Sequence, residues 1–190
     1  MQRCGWVGLE PIYVAYHDEE WGVPEYDSGA LWEKLILDGF QAGLSWIIIL
    51  KKREAFRKAF ANFDPEIIAT WGPKEVDALL QDSGIVRHRG KIQAAIGNAQ
   101  AYLELQEKIP FSERIWAYTG GVPLVGSYRS QADVPTNSDL STQISKDLKK
   151  AGFKFCGPTI IYAWMEACGL INNHIINCER FEAVKKFARI

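Results

Sequence analysis

The sequence predicts an all-α protein, and two patterns in it carry that prediction. Apolar residues recur every three or four positions, behind residues that commonly cap helices. No segment shows sustained alternation of apolar and polar residues, which is the pattern of a half-buried strand. The chain has 190 residues, 47% hydrophobic and 24% charged, so it is long enough to bury a core. We therefore expect a single domain over 1–190, built as one or two helical lobes.

Capping and helix-breaking residues set the boundaries of nine predicted helices. Asp27 and Ser28 form the start of the first helix, and Gly39 is expected to end it. Asp64 and Pro65 supply the cap and the first residue of the third helix. The predicted helices are about 28–39, 45–60, a short one from 65, 73–81, 91–105, 111–118, 139–150, 159–167 and 180–188. The segment 120–135 is rich in turn residues and is predicted to be a surface loop.

Composition limits where the protein works and how it could bind nucleic acid. The longest apolar stretch, 46–50, is far shorter than the ~20 residues that cross a bilayer, and the N-terminus lacks the pattern of a secretory signal. We therefore expect a cytoplasmic protein without a membrane partner. Its cysteines are then thiols or metal ligands, with Cys156 and Cys168 as inert core residues. Because the net charge is −1, a nucleic acid must be met by a local basic face.

Two pairs of metal-ligand residues lie at opposite ends of the chain. Twelve residues separate Cys4 from His17, and three separate His174 from Cys178. One thiolate and one imidazole from each end would complete a tetrahedral zinc site without an open position, so such a metal would be structural. The alternative, which the spacing leaves open, is a set of unrelated buried thiols and hydrogen-bonded histidines.

A short basic segment lies between two predicted helices, at 82–91. It contains two glycines, Gly84 and Gly90, and three cations, Arg87, Arg89 and Lys91. A turn of this kind followed by a helix N-terminus can bind a phosphate without reading the base sequence. The pattern is that of a helix-hairpin-helix element, although an ordinary solvated connection has the same composition.

A carboxylate in an apolar helix marks a candidate pocket. Asp38 follows three apolar residues at the end of a predicted helix, where both burial and the helix dipole disfavour an anion unless a partner compensates it. Trp46 and Tyr16 could stack on a flipped purine, and Leu44, next to Gly43, could fill the gap left in a duplex. The alternatives are an exposed Asp38 in a turn, and aromatic residues that only form core.

Several motifs, taken together, resemble the bacterial 3-methyladenine DNA glycosylase I family. They are RCGW at 3–6, YHDEEWGVP at 16–24, QAGLSW at 41–46, RHRGK at 87–91 and CGL at 168–170. The resemblance covers residues 1 to about 178, and several long motifs in the same order are more specific than any one of them.

The resemblance implies a fold, a metal and a set of site residues. The fold is the all-α helix-hairpin-helix DNA glycosylase fold, with the hairpin element at about 75–105. One structural zinc ion would join the segments 1–25 and 168–180 through Cys4, His17, His174 and Cys178. Tyr16 and Trp46 would line the base pocket, with Trp6 and Trp21 beside it. The family usually has Glu where this chain has Asp38, which shortens the reach of the carboxylate by about 1.5 Å.

The activity that the resemblance implies is a step of base excision repair. A monomeric DNA glycosylase would flip 3-methyladenine out of alkylated double-stranded DNA, with Asp38 as its recognition and charge-complementing residue. It would hydrolyse the N-glycosidic bond and leave an abasic site, since no lysine is evidently placed for Schiff-base chemistry. Two alternatives remain at this stage. One is a zinc-stapled DNA-binding protein without enzymatic activity, and the other is a zinc hydrolase, which needs an open metal position.

Overall fold

The computed structural model describes residues 2–188, and helices make up most of that part of the chain. The ten α-helices are α1 (Pro11–Ala15), α2 (Ser28–Gln41), α3 (Trp46–Ala59), α4 (Pro65–Ile68), α5 (Pro73–Leu79), α6 (Arg89–Gln106), α7 (Phe111–Trp116), α8 (Asp139–Lys150), α9 (Pro158–Ala167) and α10 (Arg180–Ala183). Short 3-10 turns cover Ala61–Phe63, Ala117–Thr119, Gln131–Asp133 and Val184–Phe187, and a π-helical turn covers Tyr16–Glu20. The prediction of a mainly helical protein is confirmed.

Helix starts agree with the capping residues read from the sequence. Asp27 Oδ1 accepts a hydrogen bond from the Ala30 N–H at 2.8 Å and caps α2. Asp64 Oδ1 caps α4 in the same way, accepting from the Glu66 N–H at 2.9 Å, with Pro65 as the first helical residue. These local bonds satisfy amides that an α-helix leaves without partners inside the helix.

Four features differ from the sequence prediction. Gly39 does not end α2, which continues through it to Gln41. The turns from Pro11 to Glu20 were not predicted. The C-terminal helix is α-helical only over Arg180–Ala183 and tightens into the 3-10 turn over Val184–Phe187. Two short parallel strands, β1 (Leu124–Val125) and β2 (Ile171–Asn172), pair Leu124 with Ile171 and Val125 with Asn172. This pairing lies partly in the predicted loop.

Helix α2 runs through the centre of the molecule and packs against α3, α6 and α9. The main core surrounds it, and the buried indoles in that core find partners: Trp32 Nε1 donates to the Phe63 carbonyl at 2.8 Å, and Trp164 Nε1 donates to the Leu31 carbonyl at 3.0 Å. A second, smaller cluster brings residues near the two ends of the chain together, including Cys4, Tyr16 and Cys178. Within 2–188 no helix is both long and apolar enough to cross a membrane.

Candidate functional site

The four predicted metal ligands meet in one buried cluster. Cys4, His17, His174 and Cys178 are all buried, and their potential ligand atoms lie within 4.8 Å of one another. Cys178 Sγ lies 3.5 Å from both His17 Nε2 and His174 Nδ1, and Cys4 Sγ lies 3.6 Å from His174 Nδ1. In a tetrahedral zinc site with Zn–S near 2.3 Å and Zn–N near 2.05 Å, neighbouring sulfur and nitrogen atoms are about 3.6 Å apart. Three of the sulfur-to-nitrogen distances therefore match those of a tetrahedral Cys2His2 site, and the cluster could hold a metal ion.

The remaining ring nitrogens of both histidines point away from the cluster towards oxygen acceptors. His17 Nδ1 lies 2.8 Å from Asp18 Oδ1, and His174 Nε2 lies 3.0 Å from the Trp21 carbonyl. Hydrogen bonds of this kind fix the tautomer that leaves a lone pair for a metal. Arg3 binds the Asp18 carboxylate through Nε and Nη2, and with His17 it holds the pKa of Asp18 at about 2. Asp18, the residue that orients His17, is therefore a carboxylate anion.

The electrostatics within the cluster favour a thiolate. Hydrogen bonding from Cys4, together with contacts to His17 and His174, lowers the pKa of Cys178. The same shared proton raises the pKa of Cys4. A thiolate is the form of cysteine that binds metals. By contrast, Cys156 and Cys168 are buried away from the cluster, and burial raises the pKa of both, to about 11 for Cys156. This agrees with their prediction as inert core residues.

All five predicted pocket residues line one cavity of about 180 Å³. They are Trp6, Tyr16, Trp21, Asp38 and Trp46. The cavity wall is therefore largely aromatic, with ring centroids 5.5 Å apart for Tyr16 and Trp46 and 5.1 Å apart for Trp6 and Trp21. Flat apolar walls with a few polar groups between them suit a planar heterocycle.

Asp38 is buried in this cavity without compensation. Its side chain is 2% exposed, and Oδ2 has no hydrogen-bond partner among residues 2–188. Burial raises its pKa well above the usual value, the Glu166 carboxyl adds to the increase, and Lys34 opposes it. The exposed-turn alternative for Asp38 is thereby excluded. An unpaired buried carboxyl is costly, and it is satisfied when a ligand supplies a donor or a positive charge.

Glu166 is a second acidic residue in the cavity, and the sequence analysis missed it. Its Oε1 accepts a hydrogen bond from Asn173 Nδ2 at 2.8 Å, and burial raises its pKa to about 7. The sequence did contain an indication that Glu166 is unusual, because it is the one charged residue of α9. Asp38 likewise follows a run of apolar residues in its helix, at Leu35–Leu37. Tyr13, Gln41, Gln131, Ala163 and Ala167 complete the lining.

The metal-ligand cluster supports the aromatic wall of the cavity directly. The Trp21 ring packs against His174, with centroids 4.6 Å apart, and lies nearly parallel to His17 at 6.2 Å. Trp6 packs edge-on against His17, with centroids 5.4 Å apart. Two of the four aromatic residues predicted for the pocket therefore contact the metal-ligand cluster directly.

A neighbouring cavity of about 260 Å³ shares Tyr16 and Trp46 but is chemically different. Its cations are already paired: Arg53 binds both oxygens of Glu20, at 2.6 and 2.8 Å, and Arg57 is 2.8 Å from Glu33. No charged group that lines it is buried without a partner in the described chain. The smaller cavity is therefore the candidate ligand site.

Two further predicted features are exposed, the turn after α2 and the start of α6. The turn at 41–45 carries Gly43 in a left-handed conformation (φ 79°) and Leu44, which is 39% exposed. Arg87, in the loop before α6, and Arg89, the first residue of α6, are exposed, and Arg89 forms a 2.7 Å ion pair with Asp77. Leu44, Arg87 and Arg89 are thus exposed, as expected for residues that contact DNA, and their role stays a prediction.

Lys91 corrects one expectation about the basic segment. Its side chain is only 7% exposed, and Nζ donates to the carbonyl oxygens of Phe40 at 2.8 Å and Ala42 at 2.5 Å. The ammonium group is therefore not on the exposed face where it was predicted to meet a phosphate. Its backbone N–H also has partners, because it donates to the carbonyl and to Nδ1 of His88, which caps α6.

Known proteins with related sequences cover nearly the whole chain. A family described as methyladenine glycosylase matches residues 6–181. DNA-3-methyladenine glycosylase 1 of Escherichia coli (strain K12) is 51% identical over 179 residues, which cover 94% of this chain and 96% of that protein. DNA-3-methyladenine glycosylase of Haemophilus influenzae is 48% identical over 177 residues, which cover 93% of this chain and 96% of that protein.

Solved structures extend the similarity from sequence to fold. A crystal structure of 3-methyladenine DNA glycosylase I superposes with a TM-score of 0.92 at 51% identity, covering 94% of this chain and 98% of that one. A variant of 3-methyladenine DNA glycosylase I, in complex with 3-methyladenine, superposes with the same TM-score at 41% identity, covering 95% and 98%. Because the family match spans residues 6–181 and relatives of similar length are about half identical, this chain belongs to the methyladenine glycosylase family.

Proposed function

We propose that this protein is a base-excision-repair enzyme that removes 3-methyladenine from alkylated double-stranded DNA. It hydrolyses the N-glycosidic bond and leaves an abasic site. The observation that carries the proposal is Asp38, a buried carboxyl with an unpaired oxygen in an aromatic-lined cavity. Membership of the family and the names of its relatives agree with this activity.

Asp38 suits a positively charged base better than a neutral one. Methylation at N3 gives the adenine ring a positive charge while it is still joined to deoxyribose. The unpaired Oδ2 of Asp38 can then accept a hydrogen bond from the base and balance that charge. Glu166 adds a second acidic group in the same cavity. Unmethylated adenine brings no such charge to the two carboxyl groups.

The aromatic residues supply the second part of recognition. Tyr16 and Trp46, together with Trp6 and Trp21, offer faces and edges to a planar cation. A cation over an aromatic face is stabilised by roughly 1–2 kcal/mol when it is desolvated. Trp46 Nε1 is buried without an acceptor in the described chain, so it can donate a hydrogen bond to a ring nitrogen of the base.

The chemical step needs little assistance from acid groups. When the bond between the sugar carbon C1′ and the base nitrogen breaks, both electrons leave with the base and neutralise its positive charge. Water adds to C1′ and releases one proton to solvent. The task of the protein is to extrude the nucleotide, hold the base and favour the cation over neutral purines. Asp38 acts here in recognition and charge balance, and we assign it no role as a base for water.

The exposed surface residues bind the duplex in this proposal. The helix-hairpin-helix element consists of α5, the loop after it and α6, and its Arg87 and Arg89 contact phosphates, while Gly84 and Gly90 let the backbone approach them. Leu44, placed by the left-handed Gly43, enters the base stack and fills the space of the extruded nucleotide.

The proposal includes one structural zinc ion, held by Cys4, His17, His174 and Cys178. Its support is the match between the sulfur-to-nitrogen distances of the cluster and those of a tetrahedral site, with both outer ring nitrogens bonded to oxygens. Four protein ligands leave no open position, so the ion would join the two ends of the chain without taking part in hydrolysis. We also infer that the protein acts as a monomer in the cytoplasm, where its four free cysteines stay reduced.

A base-release assay tests the proposed activity. Duplex DNA treated with a methylating agent is incubated with the protein, and the released bases are separated by chromatography. We expect free 3-methyladenine and alkali-labile abasic sites without direct strand cleavage. Retained duplex binding with no released base would instead support a DNA-binding protein without enzymatic activity. Profiling of all released purines in the same run shows whether 3-methylguanine is also accepted.

A further inference from the structure

Lys91 is a buried cation at the junction of two functional segments. It lies in the first turn of α6, which begins at Arg89, directly after the loop that carries Arg87. Its Nζ reaches across to α2 and donates to the Phe40 carbonyl at 2.8 Å and the Ala42 carbonyl at 2.5 Å. The last carbonyls of a helix lack partners inside the helix, and a cation there is also favoured by the helix dipole. Lys91 therefore caps α2 from a different helix.

The carbonyls that Lys91 binds lie immediately before Leu44. Ala42 is the C-cap residue of α2, and Gly43 turns the chain with φ 79°. The Leu44 N–H then donates to the Gln41 carbonyl at 2.6 Å, which closes the turn. Within this turn, Lys91 fixes the direction in which the chain leaves α2, and that direction sets where the exposed Leu44 side chain projects.

A charged side chain at this position is not the most favourable choice for the stability of the fold. A lysine with 7% exposure loses most of its hydration, and that loss lowers its pKa. An apolar side chain of similar volume can often replace a buried ionic group without loss of stability. The two carbonyl contacts give the ammonium group a geometric role instead, because they tie the start of α6 to one particular conformation of the 41–45 turn.

We propose that Lys91 is a positioning residue that couples the hairpin between α5 and α6 to the placement of Leu44 in the DNA stack. This inference rests on the proposed function, in which the hairpin docks on phosphates and Leu44 fills the gap. In that scheme, a hairpin seated on the backbone holds α6, and Lys91 transmits this position to the turn. Lys91 itself touches neither the base nor a phosphate.

A double-mutant cycle on single-turnover base release tests the coupling. The four proteins are the wild type, Lys91→Met, Leu44→Ala and the double variant. We expect each single change to slow release about tenfold or more at saturating enzyme, since Met cannot hold the two carbonyls. If Lys91 acts through Leu44, the double variant should be no slower than the slower single variant. Independent effects would multiply instead, to about 100-fold, and that result would overturn the proposal.

Lys52 provides a matched control. Its Nζ also donates to two backbone carbonyls of the hairpin region, Ser83 at 2.8 Å and Gly84 at 3.1 Å, and neither bond involves the 41–45 turn. Lys52→Met should therefore combine multiplicatively with Leu44→Ala. A non-multiplicative result for this pair would show that the cycle reports general loss of structure, and it would count against a specific role for Lys91.

A second variant and a fluorescence measurement distinguish misfolding of the variant from failure of the inference. Should Lys91→Met not fold, Lys91→Arg enters the same cycle, because it keeps the charge while moving the donors. The fluorescence of 2-aminopurine opposite the lesion reports insertion of Leu44 without base release, and it should fall in the Lys91 variants while duplex affinity changes less than threefold. Unchanged fluorescence would overturn the inference. Absence of base release by the wild-type protein would refute the proposed function instead.

Discussion

Replacing Asp38 by Asn should lower activity and raise stability in the same protein. The change keeps the shape of the side chain but removes the charge that we assign to recognition of the cationic base. Loss of one hydrogen bond to a charged partner costs about 1.5–3 kcal/mol, so 3-methyladenine release should fall about 10- to 100-fold. Duplex affinity should stay nearly unchanged, because Asp38 lies inside the cavity, away from the exposed hairpin.

The stability gain follows from the burial of Asp38. Burial raises its pKa, so the folded protein keeps a proton on Asp38 at pH values where the unfolded chain has lost it. Stability therefore falls as the pH rises above the unfolded pKa, and Asn removes this loss. An uncompensated buried polar group costs about 1–3 kcal/mol, or roughly 2–10 °C in melting temperature for a chain of this size. The gain should be small near pH 4 and grow towards pH 9.

Thermal unfolding at several pH values and single-turnover base release measure the two effects. Asp139→Asn is a suitable control, since Asp139 is exposed at the start of α8 and should change neither property by much. Wild-type rates of base release in Asp38→Asn would remove Asp38 from recognition. A variant that is no more stable at pH 9 would show that the buried carboxyl is already compensated.

Three further outcomes are expected. Cys178→Ser should lose the bound metal, measured by elemental analysis, and melt roughly 10 °C lower, whereas Cys156→Ser should keep its metal. Glu166→Gln should be more stable than the wild type above pH 7 by on the order of 3 kcal/mol in urea unfolding, and equal to it near pH 4, because burial raises the pKa of Glu166 from 4.5 to about 7. Gly169→Ala should cost about 3 kcal/mol or more, because Gly169 has φ 68° and an added Cβ would lie 2.4 Å from the Val23 carbonyl carbon. Gly97→Ala, inside α6 with no atom within 4 Å of an added Cβ, should instead stabilise the protein by up to about 1 kcal/mol.

Each of these expectations has a result that contradicts it. Full metal content and unchanged melting of Cys178→Ser would refute the ligand assignment. A stability difference for Glu166→Gln that does not depend on pH would mean that the Glu166 carboxyl is solvated in the folded state. Equal effects of the two glycine substitutions would show that the backbone near residue 169 moves freely enough to accept a side chain.

The sequence alone determined the features that depend on neighbouring residues. Helix α2 begins where Asp27 can cap it, and α4 begins at Asp64 and Pro65, because capping and proline effects act within one turn of the chain. Asp38 was recognisable as anomalous because a carboxylate in an apolar run is costly wherever the helix packs. The four candidate metal-ligand residues followed from the family resemblance, whereas their spacing alone left unrelated buried thiols and histidines as an alternative.

Tertiary structure decided which distant groups face one another. Glu166 belongs to the cavity only because α9 packs against α2, and Lys91 turns inward because the end of α2 offers two free carbonyls beside it. Helix α2 likewise continues past Gly39 to Gln41, although glycine often ends helices. The positions of Glu166 and Lys91 depend on contacts between segments far apart in the chain, and no local pattern of capping or hydrophobic spacing encodes them.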